Sequence, residues 1–272
     1  MGLDTRIFSC LVAGLMLLGS PSQGYSQEMA STTTYQVATA TNGVASWVPD
    51  PEIIAQIASD PFLIQKKLEI AMRKVVANPK TLEISFEPSS AEDTKIGKYK
   101  KITVKTEEGV VDNLVLHKVD VEFNDVQLNT TKLFKEEKID TIAVGDINMD
   151  AVILEADLNA FVQAKSKSIK VDDPNVKMEP GKITLSGSTK YSFMKMKFWA
   201  TGTFGVKDTK GIWFYPKKIK VNGMGMPRAF VGTIVKKINP ILNLEKFPFR
   251  LNLKEIKIEK EALHFTSART GN

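Results

Sequence analysis

The sequence is poor in the side chains that most often carry out chemistry, with one cysteine and two histidines among 272 residues. Cys10 lies in a short apolar run near the amino terminus, and removal of that run would leave neither a disulfide nor a thiol nucleophile. His117 and His264 each lie in a strand-like segment where a structural role is favoured, and no histidine pair has metal-ligand spacing. We therefore expect no enzyme activity, no metal and no cofactor.

Short motifs that resemble known sites are incomplete. Ser192 and Lys195 match the S-x-x-K pattern of serine acyl enzymes, but on a strand their side chains would point to opposite faces. Residues 146–150 imitate the start of a calcium-binding loop, yet Ala151 stands where that loop requires glycine. The alternation around these residues favours a solvated strand face instead. A fixed-period repeat is also lacking, which argues against a solenoid or a propeller.

Residues 1–26 have the features of a secretory signal peptide. Arg6 precedes an apolar run at residues 7–19, and the small residues Gly24 and Ser26 suit a cleavage site. The run is shorter than the ~20 residues that a transmembrane helix needs. We therefore expect the mature protein to be exported.

The remaining chain is divided by composition into three parts. Residues 27–50 are rich in Ser, Thr and Ala and have no sustained periodicity, which predicts a flexible linker. Residues 51–266 show no break in composition, and a chain of this length can bury one sizeable core, so we predict a single domain. Residues 267–272 are predicted to be a tail.

The longest alternating segment lies at residues 194–206. Its large apolar side chains share one parity, whereas its lysines, its threonines and Trp199 share the other. This period of two predicts a half-buried strand about 40 Å long at ~3.3 Å per residue. Ala200 and Gly202 interrupt the large side chains, which would leave room for a ligand or for a closely packed helix. The apolar parity comprises Met194, Met196, Phe198, Ala200, Gly202, Phe204 and Val206.

Three segments repeat apolar residues at helical spacing and are predicted to be amphipathic helices: residues 60–78, 154–163 and 227–240. Phe230 and Ile234 lie on the apolar face of the third. Short alternating strands joined by turn-like segments favour antiparallel pairing, and the Pro-Gly centre of residues 179–182 predicts a type II turn. Pro216 marks an edge strand or a β-bulge, and a further bulge is predicted near Lys254 and Glu255. We predict an α+β fold in which a long curved antiparallel sheet wraps around two or three amphipathic helices.

The chain carries a net charge of +6, and many of its lysines are clustered. Lys217, Lys218 and Lys220 form one group, and Met224 and Met226 follow it. For an exported chain, an anionic membrane surface is a better partner than nucleic acid, so we assign these five residues to membrane contact and expect no nucleic-acid partner. The alternatives are that the lysines only solvate a strand face and that the methionines fill the core.

Four segments resemble the LmeA-type family of bacterial envelope proteins: LEADLNAFVQ (154–163), VKMEPGKITLSGS (176–188), GIWFYPKKIKVNGMGMP (211–227) and INPILNLEKFPFRLNLKEIKIEKEALHF (238–265). The resemblance extends from about residue 140 onward and is limited to the order of elements between residues 60 and 140. It implies phospholipid binding in the periplasm or another extracytoplasmic compartment, and a fold akin to the tubular lipid-binding proteins. It offers no catalytic signature, and protein partners stay unknown.

Together these observations predict non-enzymatic binding of phospholipid in an apolar groove, with transfer or sensing as its use. Burial of one sixteen-carbon acyl chain would contribute about 12 kcal/mol at ~0.8 kcal/mol per methylene. We assign the groove lining to the apolar parity from Met194 to Phe204, together with Phe230 and Ile234. The alternative is a structural or interaction module with a dry core. An envelope hydrolase would need a nucleophile and a base that the sequence does not offer.

Overall fold

The computed structural model describes residues 47–191, 194–225, 232, 235, 236, 238–247 and 251–270. These residues belong to one compact unit that begins at residue 46. In chain order its elements are α1 (Pro51–Ser59), α2 (Leu63–Val75), β1 (Thr81–Pro88), α3 (Ala91–Lys95), β2 (Lys98–Val111), β3 (Leu114–Leu128), α4 (Thr130–Glu136), β4 (Thr141–Ala143), β5 (Asp146–Leu154), α5 (Glu155–Ala164), α6 (Ser166–Ile169), β6 (Asp172–Glu179), β7 (Lys182–Tyr191), β8 (Met194–Lys207), β9 (Gly211–Val221), β10 (Met224–Gly225), β11 (Leu242–Asn243), a 3-10 turn (Leu244–Lys246), β12 (Asn252–Ile258) and β13 (Ala262–Thr270).

Seven of the described strands form one antiparallel sheet, sheet A, in the order β1–β2–β3–β5–β13–β12, with β4 paired to β3. The β2–β3 hairpin turns at Asp112 and Asn113, whose φ angles are 53° and 66°. Two successive positive φ angles are the geometry of a type I′ turn, which matches the twist of the strands that it joins. β13 pairs with β5, so that Leu263 lies opposite Ile153 and distant parts of the chain share one sheet.

The other six described strands form sheet B, in the order β10–β9–β8–β7–β6, with β11 paired to β9. The β6–β7 hairpin turns at Pro180 and Gly181, and the φ of 69° at Gly181 confirms the predicted type II turn. The hairpin tips contact β12 of sheet A. Gly181 N donates to Ile258 O at 2.9 Å, and Leu253 N donates to Thr209 O at 2.7 Å.

Helices cover sheet A at one end and join the two sheets. α1 begins after Asp50, whose carboxylate accepts a hydrogen bond from Glu52 N at 2.9 Å and caps the helix. α2 packs against α4 and β1, and α5 lies against β3 and β5 of sheet A and along β6 of sheet B. The stripe predicted for α2 is buried at Ile64, Leu68, Ala71 and Met72, and the face predicted for α5 at Leu158, Phe161 and Val162.

The predicted α+β class with long antiparallel strands is confirmed, although the strands are divided between two sheets. Both predicted bulges are present. The β8–β9 register shifts between Thr201 and Gly202, opposite Pro216, and the β12–β13 register shifts between Leu253 and Glu255. Each bulge bends its strand, which allows the sheet to curve.

The amino-terminal helices differ from the prediction. The helix expected from residue 60 begins at Leu63, and α1 precedes it. Asp60 lies in the connection between the two helices, where its carboxylate accepts a hydrogen bond from Phe62 N at 3.0 Å. The sequence predicts that Asp60 caps a helix and that Pro61 takes its first position. Asp50 and Pro51 have these roles instead, at the start of α1.

Two strand boundaries also differ. The alternation in the sequence predicts one long strand at residues 139–153. In the structure a bend at Gly145 divides it into β4 and β5, which both pair with β3. A Cβ at Gly145 would lie 3.2 Å from Asn124 O, so a larger residue there would press on β3. β13 continues to Thr270, which makes most of the tail predicted at residues 267–272 part of a strand.

Some predicted elements lie outside the described residues. These are the leader at residues 1–26, the linker as far as residue 46, and most of the third helix. Within the predicted third helix, Gly232, Val235, Lys236 and Ile238 are helical.

Candidate functional site

The apolar parity of β8 forms the centre of the inner face of sheet B. β8 lies between β7 and β9, so inward-facing side chains of both neighbours flank it. The row reaches the surface at its ends, where Met194 is 54% and Val206 is 38% exposed. Between these ends, four members are at most 8% exposed, as the alternation predicted: Met196, Phe198, Ala200 and Phe204.

An apolar cleft lies between α5, the inner face of sheet B and residues 238–241. Phe204 and Phe214 contact it from β8 and β9, with their rings edge to face and their centroids 6.4 Å apart. The cavity volume is about 10 Å³, which is room for about one water molecule. All nine lining residues are apolar: Leu158, Val162, Val176, Ile183, Leu185, Phe204, Phe214, Ile238 and Ile241.

The cleft and the predicted groove overlap only in part. Among the described members of the predicted groove, Phe204 alone lines the cleft, whereas Met196, Phe198 and Ala200 continue the same face toward the start of β8. Phe230 and Ile234 lie outside the described residues.

Sequence reasoning placed five of the other lining residues on the apolar faces of α5 and the β6–β7 hairpin without assigning them to the site. Leu158 and Val162 belong to the predicted apolar face of α5, and Val176, Ile183 and Leu185 alternate in the predicted β6–β7 hairpin. The hairpin register, with Val176 opposite Leu185, was the signal that could have brought these faces together.

Gly202 has a different role from the one expected of it. A Cβ at this position would lie 2.1 Å from Tyr215 O and 2.9 Å from Pro216 Cα, both in the backbone of β9. The space expected beside a small residue is therefore filled by the bulge of the neighbouring strand. The structure thus shows no room beside Gly202 to support its assignment to the groove lining, which stays a prediction; only glycine allows β9 to approach so closely.

Polar side chains of α5 bind the backbone of β6, the edge strand of sheet B. Asn159 Oδ1 accepts a hydrogen bond from Val176 N at 2.7 Å, and its Nδ2 donates to Val176 O at 2.8 Å. One turn away on either side, Glu155 accepts from Met178 N and Gln163 donates to Pro174 O. The contacts recur every four residues along the helix, a rise of ~6 Å, and every two residues along the strand, a rise of ~6.6 Å. The spacing on α5 therefore matches the spacing on β6. We call this set of contacts the α5 ladder.

The predicted membrane-contact residues extend from the middle of the β8–β9 pair toward the end of sheet B that holds β10. Lys217 is the extra residue of the β9 bulge, and Lys218 and Lys220 lie opposite Thr201 and Trp199 of β8. All three lysines are exposed. Met224 is 72% exposed beyond the next turn, which does not suit the alternative that it fills the core, and Met226 lies outside the described residues.

Polar groups near the cleft offer little chemistry. Burial raises the pKa of the Asp157 carboxyl on α5, an effect that nearby His117 opposes. In the ranges given above for the structure, no group of three or more His, Cys, Asp or Glu residues is placed to hold a metal ion.

The calcium-like segment lies on the outer face of sheet A. Asp146, at its start, accepts hydrogen bonds from Asn124 and Asn148 at 3.0 and 2.6 Å.

The fold and the cleft define an α+β protein that has a wholly apolar cavity among its described residues. A family model described as LmeA-like phospholipid-binding matches residues 55–268, from within α1 to within β13. The chain therefore belongs to the LmeA-like phospholipid-binding family, and lipid binding in general is its function. No curated protein and no solved structure matches the chain. Among the described helices, none combines the length and apolar character needed to cross a bilayer.

Proposed function

We propose that this protein holds the acyl chain of a phospholipid between the inner face of sheet B and α5. The carrying observation is the wholly apolar cleft, into which the buried row of β8 leads from its exposed end at Met194. A lining without hydrogen-bonding groups suits a hydrocarbon chain and offers no orienting contact to a polar ligand.

Entry of an acyl chain requires that the cleft widen. Its cavity volume of about 10 Å³ accommodates about one water molecule, far less than a chain of many methylenes. Two of the walls are held differently. Side chains of the α5 ladder hold one wall to β6, whereas the wall at residues 238–241 is joined to β9 by a backbone hydrogen bond from Ile241 N to Ile212 O at 2.8 Å. The wall formed by α5 can therefore separate without the loss of a backbone hydrogen bond of sheet B. Burial at ~0.8 kcal/mol per methylene would offset the cost of separating such a wall from the sheet.

We further propose that binding takes place outside the cytoplasm, in the periplasm or another compartment of the envelope. Two features of the sequence support this setting: residues 1–26 resemble a signal peptide, and later segments of the chain resemble a family of envelope proteins.

Transfer of lipid between membranes and sensing of lipid are both uses that a cleft of this kind permits. A vesicle-to-vesicle transfer assay with labelled phospholipid separates them, because only a transfer protein accelerates exchange.

The small cavity favours one second candidate, a structural or interaction module with a dry core. Native mass spectrometry of the protein purified from its own compartment, followed by organic extraction, separates the two. A phospholipid at a fixed ratio to protein is expected from the acyl-chain cleft. Protein that carries no phospholipid in the native spectrum would contradict it.

The first variant that tests the cleft is Ala200→Phe. Ala200 is 2% exposed on the inner row of β8, so a phenyl ring there would block the path between Met194 and Phe204. We expect loss of the extracted phospholipid and a cost of about 1 to 3 kcal/mol in the free energy of unfolding, from overpacking.

The matched control is Thr201→Phe, which places the same ring on the outer face of the same strand. It is expected to retain phospholipid at the wild-type ratio. Equal lipid retention in both variants, measured beside thermal unfolding on the same preparations, would contradict the path along β8.

A further inference from the structure

The two ends of sheet B differ in what they contact. At one end, the β6–β7 and β8–β9 turns bond to β12 of sheet A through Gly181 and Leu253. At the other end lie the finish of β7, the start of β8 and the β9–β10 turn at Asn222 and Gly223. We call this second region the free end.

The strand register gathers lysines on the outer face of the free end. Lys190 and Lys195 lie directly opposite each other on β7 and β8, and Lys220 lies opposite Trp199. Like charges placed directly opposite destabilise a sheet, so the fold alone does not account for this arrangement. The free-end lysines are Lys190, Lys195, Lys197, Lys218 and Lys220.

Few acidic groups neutralise these lysines. Asp172 of β6 lies 3.9 Å from Lys195, and Asp173 follows it in the same strand. Within the described parts of the chain, no ion pair involves the other four free-end lysines. The face therefore carries an excess of positive charge that is available to an anionic partner.

Exposed apolar side chains lie at the same end. Met224 is 72% and Met194 is 54% exposed at the tip, and Trp199, opposite Lys220 on the outer face, is 44% exposed. Large apolar side chains at a tip, with lysines and a tryptophan behind them, are the types of side chain that contact the hydrocarbon boundary, the lipid phosphates and the headgroup level of a bilayer.

We propose that the free end of sheet B docks on the surface of a bilayer that contains anionic phospholipid. Met194 and Met224 enter the headgroup boundary, the free-end lysines bind lipid phosphates, and Trp199 lies at the interface. The docking proposal rests on the proposed function in one respect: a docked protein would have the exposed end of the β8 row at the bilayer, where an acyl chain could enter. From there the row runs ten residues, roughly 33 Å, to Phe204 in the cleft.

The test is cosedimentation with phosphatidylcholine vesicles, with and without phosphatidylglycerol, at low and high salt. The variant changes Lys190, Lys197 and Lys220 to Gln. Each lysine near an anionic surface is worth about a factor of five in binding, so we expect up to about 100-fold weaker binding at low salt. High salt should remove most of this difference.

The matched control changes Lys105, Lys254 and Lys260 to Gln, three exposed lysines outside sheet B that alter the net charge equally. It should bind vesicles nearly as well as the wild type. Equal losses in both variants, or no loss in the first, would overturn the docking surface.

Trp199 supplies a second readout. Vesicles with phosphatidylglycerol should shift the tryptophan emission of the wild type to shorter wavelength, and Trp199→Phe should abolish most of that shift. An undiminished shift in Trp199→Phe would overturn the assignment of this face. Extracted lipid reports the cleft separately, so vesicle docking by a protein with an empty cleft would support the docking surface while contradicting the acyl-chain cleft.

Discussion

The outer faces of the two sheets are built from the same alternation of apolar and polar residues but differ in how their charges are arranged. On sheet A, lysines lie beside carboxylates, as in the pairs of Lys101 with Glu122 at 2.9 Å and Lys118 with Asp120 at 2.8 Å. On the free end of sheet B, Lys190 instead lies opposite Lys195. The charges of sheet A thus largely neutralise one another, whereas the free end of sheet B carries like charges side by side, which is the arrangement on which the proposed docking rests.

The inner faces differ as well. Sheet A packs against α2 and α3 at β1 and β2 and against α5 at β3 and β5, and its central residues Leu116, Ile147 and Ile153 have no exposed surface. Sheet B has a cleft on its inner face, walled by α5 and residues 238–241. This cleft is the part of the molecule that the proposed function requires to open.

The largest expected effect comes from a glycine in each sheet. A Cβ at Gly202 of sheet B would meet Tyr215 O at 2.1 Å, whereas a Cβ at Gly109 of sheet A would meet Val76 Cγ1 at 2.1 Å. The obstacle at Gly202 is the backbone of a paired strand, which cannot move aside, whereas the obstacle at Gly109 is a side-chain methyl group, which can. We expect Gly202→Ala to cost about 3 kcal/mol or more and Gly109→Ala about 1 kcal/mol.

Urea unfolding of both variants measures this difference. A smaller loss of stability in Gly202→Ala than in Gly109→Ala would show that β9 can retreat from its bulge, and would support Gly202 as a candidate for the groove lining.

Charge reversal should have opposite effects on the stability of the two sheets. Lys190→Glu replaces a like-charge pair with an attractive one and should stabilise the protein by roughly 0.2 to 1 kcal/mol, while it weakens vesicle binding. Lys101→Glu places two carboxylates together at Glu122 and should destabilise by a similar amount, with little effect on vesicles. The two variants change the net charge equally. Parallel changes in stability would therefore remove the contrast between the two faces.

The smallest expected effect is a pH dependence at α5, which lies between the sheets. Burial raises the pKa of Asp157 above its ordinary value of 3.8. Because the pKa is higher in the folded protein than in the unfolded chain, the stabilising contribution of this carboxyl is fully present below pH 3.8. The contribution is lost as the pH rises through the pKa of the folded protein. Asp157→Asn should therefore gain stability relative to the wild type as pH rises from about 4 to about 7. Chemical unfolding across that range checks it, and a constant difference would contradict the assignment.

The features that could be predicted from the sequence are those that depend on residues close together in the chain. Alternation located the buried row of β8 from Met196 to Phe204, and Pro216 marked the bulge in β9. Helix α1 was missed although Asp50 and Pro51 carry a start signal, because the first helix was assigned to the longer apolar stripe that follows Asp60 and Pro61. These successes and this omission all concern local signals.

What the sequence could not supply depends on pairing between distant segments. The division into two sheets follows from β13 pairing with β5, about a hundred residues earlier in the chain. The obstacle beside Gly202 belongs to Tyr215, and the cleft joins α5 to residues 238–241. Periodicity identifies which face of an element is apolar, but not which other element that face will meet.

The α5 ladder has a consequence for the edge of sheet B. An edge strand normally presents unpaired backbone groups that can template the addition of a strand from another molecule. On β6, Asn159 occupies both backbone groups of Val176, Glu155 occupies Met178 N, and Gln163 occupies Pro174 O. Pro174 has no N–H, and Met178 O accepts from Glu261 N. These side chains therefore protect the edge of β6 from strand addition, and in the proposed widening of the cleft they would release that edge only while α5 is separated from the sheet.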